Sequence, residues 1–166
     1  MLLKRRHKHS TPMDISDIHV SINTTNNPQV SKLLKMLQLD EQDLKYLKAF
    51  KPVIVQNIEE IVFVFYEALG IEQSLINIIN KHSSVDRLKI TLNRHIQEMF
   101  DGRIDLEYFE QRKRIANVHV RIGLPSQWYI SAFQNVLNKM VLYVKNFVSK
   151  NQNQLLKICA TTKKFN

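Results

Sequence analysis

The chain has little of what punctuates or staples a fold. Its 166 residues include one cysteine, three glycines and four prolines. The lone Cys159 excludes an internal disulfide and any zinc site built from several thiolates, and fits a reducing compartment. Few glycines and prolines mean few turns and long elements. With 44% hydrophobic residues, that composition reads as one all-α domain. The longest purely apolar run, IVFVF at 61–65, is far short of the roughly 18 residues a membrane span needs. Gly-rich phosphate loops, HExxH, CxxC and nucleophile-elbow patterns are all missing, so no catalytic residue is expected. The opening MLLKRRHKHS leads into TPMDISD without an apolar segment, unlike a signal peptide, and the expected location is the cytoplasm.

Charge is plentiful but unevenly placed. The net value is +9, from 24 lysines and arginines against 15 acidic residues. Lys4, Arg5, Arg6, Lys8, Lys157, Lys163 and Lys164 lie near the two ends, where no acid accompanies them. Between them 17 basic residues face 15 acidic ones, so the body is almost balanced. A nucleic-acid footprint needs a basic face on the folded part, and none is expected. Residues 1–29 are polar and read as a basic tail, largely disordered or ordered only by docking on the body. The folded domain is expected over 30–166.

Within that domain the apolar residues recur at helical spacing. QVSKLLKMLQ is the first pattern, and Asp40 caps a second through Phe50. Pro52 suits the first turn of a new helix over 52–69, whose later half is apolar nearly all round and so expected to be covered on several sides. Gly70 is its expected terminator. EQSLINIINKH follows, then a helix capped by Ser83 or Ser84 with Val85, Leu88, Leu92, Ile96 and Met99 inward. DGRID is a turn. Asp105 caps the next helix, whose inward face is predicted as Leu106, Phe109, Ala116, His119 and Val120, with Gly123 as its stop. A long helix over 127–150 and a shorter one over 152–164, with Leu155, Leu156, Ile158 and Cys159 inward, close the chain. Seven or eight unequal helices and no strand suit a globin-like fold better than a matched four-helix bundle.

Five of the six histidines are candidates for chemistry. His7 and His9 lie in the basic tail, and His82 and His95 near the two ends of HSSVDRLKITLNRH. His119 stands among Ile, Ala and Val, where burial favours a neutral ring with a nitrogen free for a metal. Such a ring is equally a core residue with a local hydrogen bond. Thr91 and Tyr66 present two hydroxyls on apolar helices; each either bonds locally or converges on a polar ligand.

KRIANVHVRIGLPSQWYISAFQ and INKHSSVDRLKITLNRHIQEMFDGRID resemble the proximal and distal regions of the globin-coupled oxygen sensors. The likeness runs from about residue 33 to 162. Relatives place the proline nearer the tryptophan, where Ser126 and Gln127 stand here. The resemblance implies a globin fold without the usual D helix and with an added N-terminal helix. It implies haem b held by His119 as proximal ligand. Tyr66 and Thr91 then match the distal residues that meet O2, and Leu88 and Phe65 match apolar pocket positions. His82 matches a histidine near a haem propionate, and Tyr129 a proximal tyrosine. CO, NO and cyanide are further ligands such a haem takes. The resemblance also implies a homodimer through the two C-terminal helices, with a signalling domain beyond them. Other outputs, such as a diguanylate cyclase, or a cofactor-free dimerisation module remain alternatives.

Overall fold

The computed structural model describes residues 15–25 and 27–149. Among them run a short strand β1 (Ser21–Ile22), then α1 (Pro28–Leu37), α2 (Glu41–Gln56), α3 (Ile58–Leu69), α4 (Gln73–His82) and α5 (Val85–Met99). A second strand β2 (Arg103–Ile104), α6 (Leu106–Arg121) and α7 (Ser126–Ser149) follow. The architecture is all-α, as its composition predicts. The expected helix at 152–164 and its inward residues lie outside the described residues, as do His7 and His9.

Helix starts follow local chemistry. Asn27, Asp40, Ser84 and Asp105 each accept a backbone N–H of the first turn through the side chain. Asp40 and Asp43 form a reciprocal box at the head of α2. α3 lies between α5 and α7, with Ile58, Ile61, Val62 and Phe65 buried. α7 buries a line of residues four apart: Ala132, Val136, Met140, Val144 and Val148. Glu60 of α3 also meets Lys139 and Tyr143 of α7. Phe50 of α2 packs edge-on against Phe147, with ring centroids 5.7 Å apart, which brings α2 onto the same core.

Several expectations are corrected. Pro52 does not open a helix: α2 runs through it to Gln56. A proline inside a helix costs a hydrogen bond and crowds the preceding turn, about 3 kcal/mol. Phe50 and Ile54 on either side are 1% and 0% exposed, and their burial keeps the helix continuous. The break falls instead at Asn57, whose side chain donates to the Val53 carbonyl. α3 is covered by α5 and α7 as expected, although Phe63 remains 56% exposed. Gly70 ends α3 in right-handed geometry at φ −65°, so its lack of a side chain is not what stops that helix.

The polar N-terminal segment is also more ordered than its composition implies. Backbone bonds pair β1 in parallel with β2, inside the expected DGRID turn. Lys45 and Lys48 of α2 donate to the carbonyls of Ser16 and His19. Docking of this kind uses main-chain groups, which side-chain hydropathy does not report.

Two glycines take left-handed geometry, both at φ 71°. Gly123 follows α6; its N–H bonds to the Val120 carbonyl and the Leu124 N–H to the His119 carbonyl, the double bond of a Schellman cap. Gly102 is wedged beneath the N-terminal segment, where an added Cβ would lie 2.8 Å from both Val20 Cγ1 and Lys48 Cδ. Gly123→Ala should therefore cost only the backbone penalty, about 1 kcal/mol. Gly102→Ala should cost more, about 2–3 kcal/mol, because overlap adds to it. Urea unfolding of the two variants checks the order; equal losses would contradict the wedge.

Candidate functional site

One cavity collects the residues singled out by sequence. It measures about 370 Å³, within the usual range for small-molecule sites. Its walls come from the end of α3, from α4, α5 and α6, and from the start of α7. Phe65, Tyr66, His82, Leu88, Thr91, His119 and Tyr129 all line it. These positions meet because α3, α5 and α7 pack together in the core, while α4 and α6 close the sides.

α6 is unlike the other helices: none of its residues is buried. The predicted inward face is corrected accordingly. Leu106, Ala116 and Val120 are exposed, and the cavity is lined instead by Ile115, Val118, His119 and Ile122. The helix is rotated so that His119, with the adjacent Val118, Ile115 one turn before and Ile122 one turn after, faces the cavity. Nearer the start of the helix, Tyr108 and the predicted Phe109 pack against the core.

The His119 ring lies against Tyr129 of α7, with centroids 5.1 Å apart, so a residue of another helix restricts its orientation. Burial lowers the His119 pKa and keeps the imidazole neutral near pH 7. A neutral imidazole retains the lone pair a metal requires. Facing residues come from α3 and α5. Thr91 donates its hydroxyl hydrogen to the Arg87 carbonyl at 3.1 Å, so its proton is already committed. Burial alone raises the pKa of the Tyr66 phenol, which stays protonated and able to donate. Burial also raises that of Tyr129. His82, the last residue of α4, is exposed at the rim.

His95, on the same predicted face of α5 as Leu88 and Thr91 but not among the expected site residues, lines the cavity too. It falls one turn after Thr91 and two after Leu88, a spacing that marks the same face of α5. Its pKa is pushed down to about 4, chiefly by burial and further by the charge of Arg112 and of His119 once that ring is protonated. Its Nδ1 is buried without a hydrogen-bond partner among the described residues. A second hollow, of about 600 Å³, lies between residues 23–30 and the start of α6. Its wall carries Asp105, Glu107 and Glu110 but no histidine. Among the described residues no three metal-ligating side chains cluster. A single-histidine centre is the metal chemistry that this arrangement accommodates.

A family model for protoglobins matches residues 26–166. The chain belongs to the protoglobin family. The heme-based aerotactic transducer HemAT of Halobacterium salinarum is 26% identical over 106 residues, which cover 63% of this chain and 22% of that protein. This protoglobin domain thus spans about a fifth of the length of that relative. The two matches place it among the globin-coupled sensors, and its all-α fold is globin-like. They also imply haem binding. The cavity of the protoglobin domain fits such a group: an apolar space with the neutral imidazoles of His119 and His95 and the protonated phenols of Tyr66 and Tyr129 on its walls. No single helix among the described residues is long and apolar enough to cross a membrane.

The buried imidazole of His95 makes stability depend on pH. The unfolded chain binds its proton near 6.5, the folded one only near 4. Its contribution is therefore complete above about pH 6.5 and is lost as pH falls toward 4. Between pH 7 and about pH 4, His95→Leu should lose about 2 kcal/mol less than the unmodified protein does, by urea unfolding of haem-free samples. Equal losses would show that the folded state does not exclude that proton.

Proposed function

We propose that this chain is the O2-sensing domain of an aerotaxis transducer, working in the cytoplasm with haem b held by His119. The observation that carries the reading is the neutral His119 imidazole on α6, in one apolar cavity with a protonated Tyr66. When bound, haem iron supplies reversible binding of O2, and of CO, NO or cyanide as competing ligands. The protein supplies selectivity. Tyr66 is the distal donor, because Thr91 has its proton directed to the Arg87 carbonyl and serves better as an acceptor or a second, weaker donor. O2 accepts hydrogen bonds well and CO poorly, so a phenol donor discriminates between them. Phe65 and Leu88 keep water from the distal side, and His82 at the rim is placed for a propionate.

The transmission route starts at the proximal helix. The His119 carbonyl accepts the Leu124 N–H, so a displacement of His119 reaches the 122–125 turn and the start of α7 directly. α7 exposes Trp128, Ile130 and Leu142. We assign the homodimer contact to this helix and the C-terminal segment after it, with a signalling domain further along the full-length protein. Signalling requires that O2 bind the two packings of the dimer unequally. The relative's description as an aerotactic transducer supports this output.

Absorption spectra and gas titrations test the proposal. The protein supplied with haem should show a Soret band, and His119→Ala should lose the signature of an axial imidazole. An unchanged spectrum in that variant would remove His119 from the site. Tyr66→Phe should weaken O2 binding by about ten-fold while leaving CO affinity nearly unchanged, and Thr91→Val should do less. Equal losses for O2 and CO would show that the phenol only shapes the pocket.

A further inference from the structure

Arg112 sits on the same face of α6 as His119, seven residues earlier, on a stripe continued by Ile115 and Ile122. Two turns separate the pair, about 10 Å along the helix. Its side chain is 20% exposed, an unusual position for a guanidinium on a helix with no buried residue. Nη1 donates to Glu98 Oε2 of α5 at 3.1 Å and to Gln111 Oε1 at 3.1 Å. The guanidinium also lies over the Tyr108 ring, 3.7 Å from its centroid. Nε and Nη2 are buried without partners among the described residues.

These contacts make a stiff joint. Tyr108 and Gln111 belong to α6 itself and brace the fork against swinging. Glu98 belongs to α5, and Arg112–Glu98 is the one ion pair among the described residues that joins α6 to another helix. A largely desolvated cation with two unmet donors depends on its single carboxylate. Glu98 lies three residues after His95, which lines the cavity, so the joint borders the site at the His95 end of α5. Apolar packing of α6 on the core comes through Tyr108 and Phe109 near its start, while its residues around His119 line the cavity. The ion pair therefore sets where one end of the His119 stripe is held.

We infer that Arg112 is a positioning residue: through Glu98 it anchors α6 to the distal helix α5 and so sets the placement of the His119 imidazole in the cavity. The inference rests on the proposal that His119 holds haem. α6 pivots at Arg112, and motion at His119 is taken up toward Gly123 rather than toward Asp105. Distal α5 and proximal α6 are then linked by one breakable contact outside the ligand's own reach.

The test uses the haem-loaded protein. The iron–histidine stretching band of the ferrous, ligand-free form and the O2 dissociation rate are recorded for Arg112→Gln, Glu98→Gln and the double variant. Arg103→Gln is the control, since Arg103 pairs with Asp105 and Glu107 at the exposed start of α6 without reaching α5. Arg112→Gln and Glu98→Gln should shift the stretching band in the same direction and change O2 dissociation about five-fold or more. The double variant should match the single ones rather than add their effects. Arg103→Gln should alter thermal stability alone. Folded variants with an unmoved band, or effects that add independently, would overturn the inference. If Arg112→Gln does not fold, Glu98→Gln decides by the same two readings. A wild-type protein that takes up no haem would instead defeat the proposed function, which separates the two failures.

Discussion

The packing of α3 against α7 is the contact from which the remaining architecture hangs. Ile61, Val62 and Phe65 on one side, and Val136, Met140 and Val144 on the other, are all buried in one core. α2 and α5 are brought onto the same core by Phe50, Leu92, Ile96 and Phe100. The core ends at Phe65 and Phe133, whose rings lie edge-on at 5.7 Å. Both rings also line the cavity, which begins at this end of the core. The site is thus an extension of the core, lined by the same helices one or two turns further along.

That origin explains the electrostatics. Polar groups carried past the end of the core are desolvated by its walls without being paired to opposite charges. His95 and His119 are therefore held neutral, and Tyr66 and Tyr129 protonated. The rings also touch in series. Tyr66 meets Phe65, Phe65 meets Phe133, Phe133 meets Tyr129, and Tyr129 meets His119. A change at the distal wall thus has a packed route to the proximal histidine that passes through α7, besides the ionic one through Arg112 and Glu98.

Helices and caps were legible because they depend on neighbours in sequence. Asp40, Ser84 and Asp105 cap from their own side chains, and Gly123 stops α6 because only a glycine takes that geometry without penalty. Pro52 misled, since the cost of a proline inside a helix is local while the burial that outweighs it comes from distant helices. The inward face of α6 misled for a related reason. Periodicity alone allows several adjacent faces, and it favoured Leu106 and Val120 over Ile115 and Ile122. His95 shares the face of Thr91 and Leu88 by spacing, but spacing does not say how far along α5 the cavity extends, which the packing of α6 and α7 decides.

By itself the sequence determined the all-α class, most helix boundaries, and, through the likeness of its proximal and distal segments to the globin-coupled sensors, the candidate residues from Phe65 to Tyr129. These rest on local hydrogen bonding, side-chain spacing and short motifs, which survive without knowledge of what packs on what. Tertiary structure alone decided that seven of those residues share one cavity, that the Thr91 proton is committed to its own helix while Tyr66 is not, and that Arg112 reaches Glu98. The shared cavity and the Arg112–Glu98 contact depend on the rotation of one helix against another, whereas the Thr91 bond is a rotamer choice within α5. That rotation is set by the summed packing of residues far apart in the chain, which no single segment encodes.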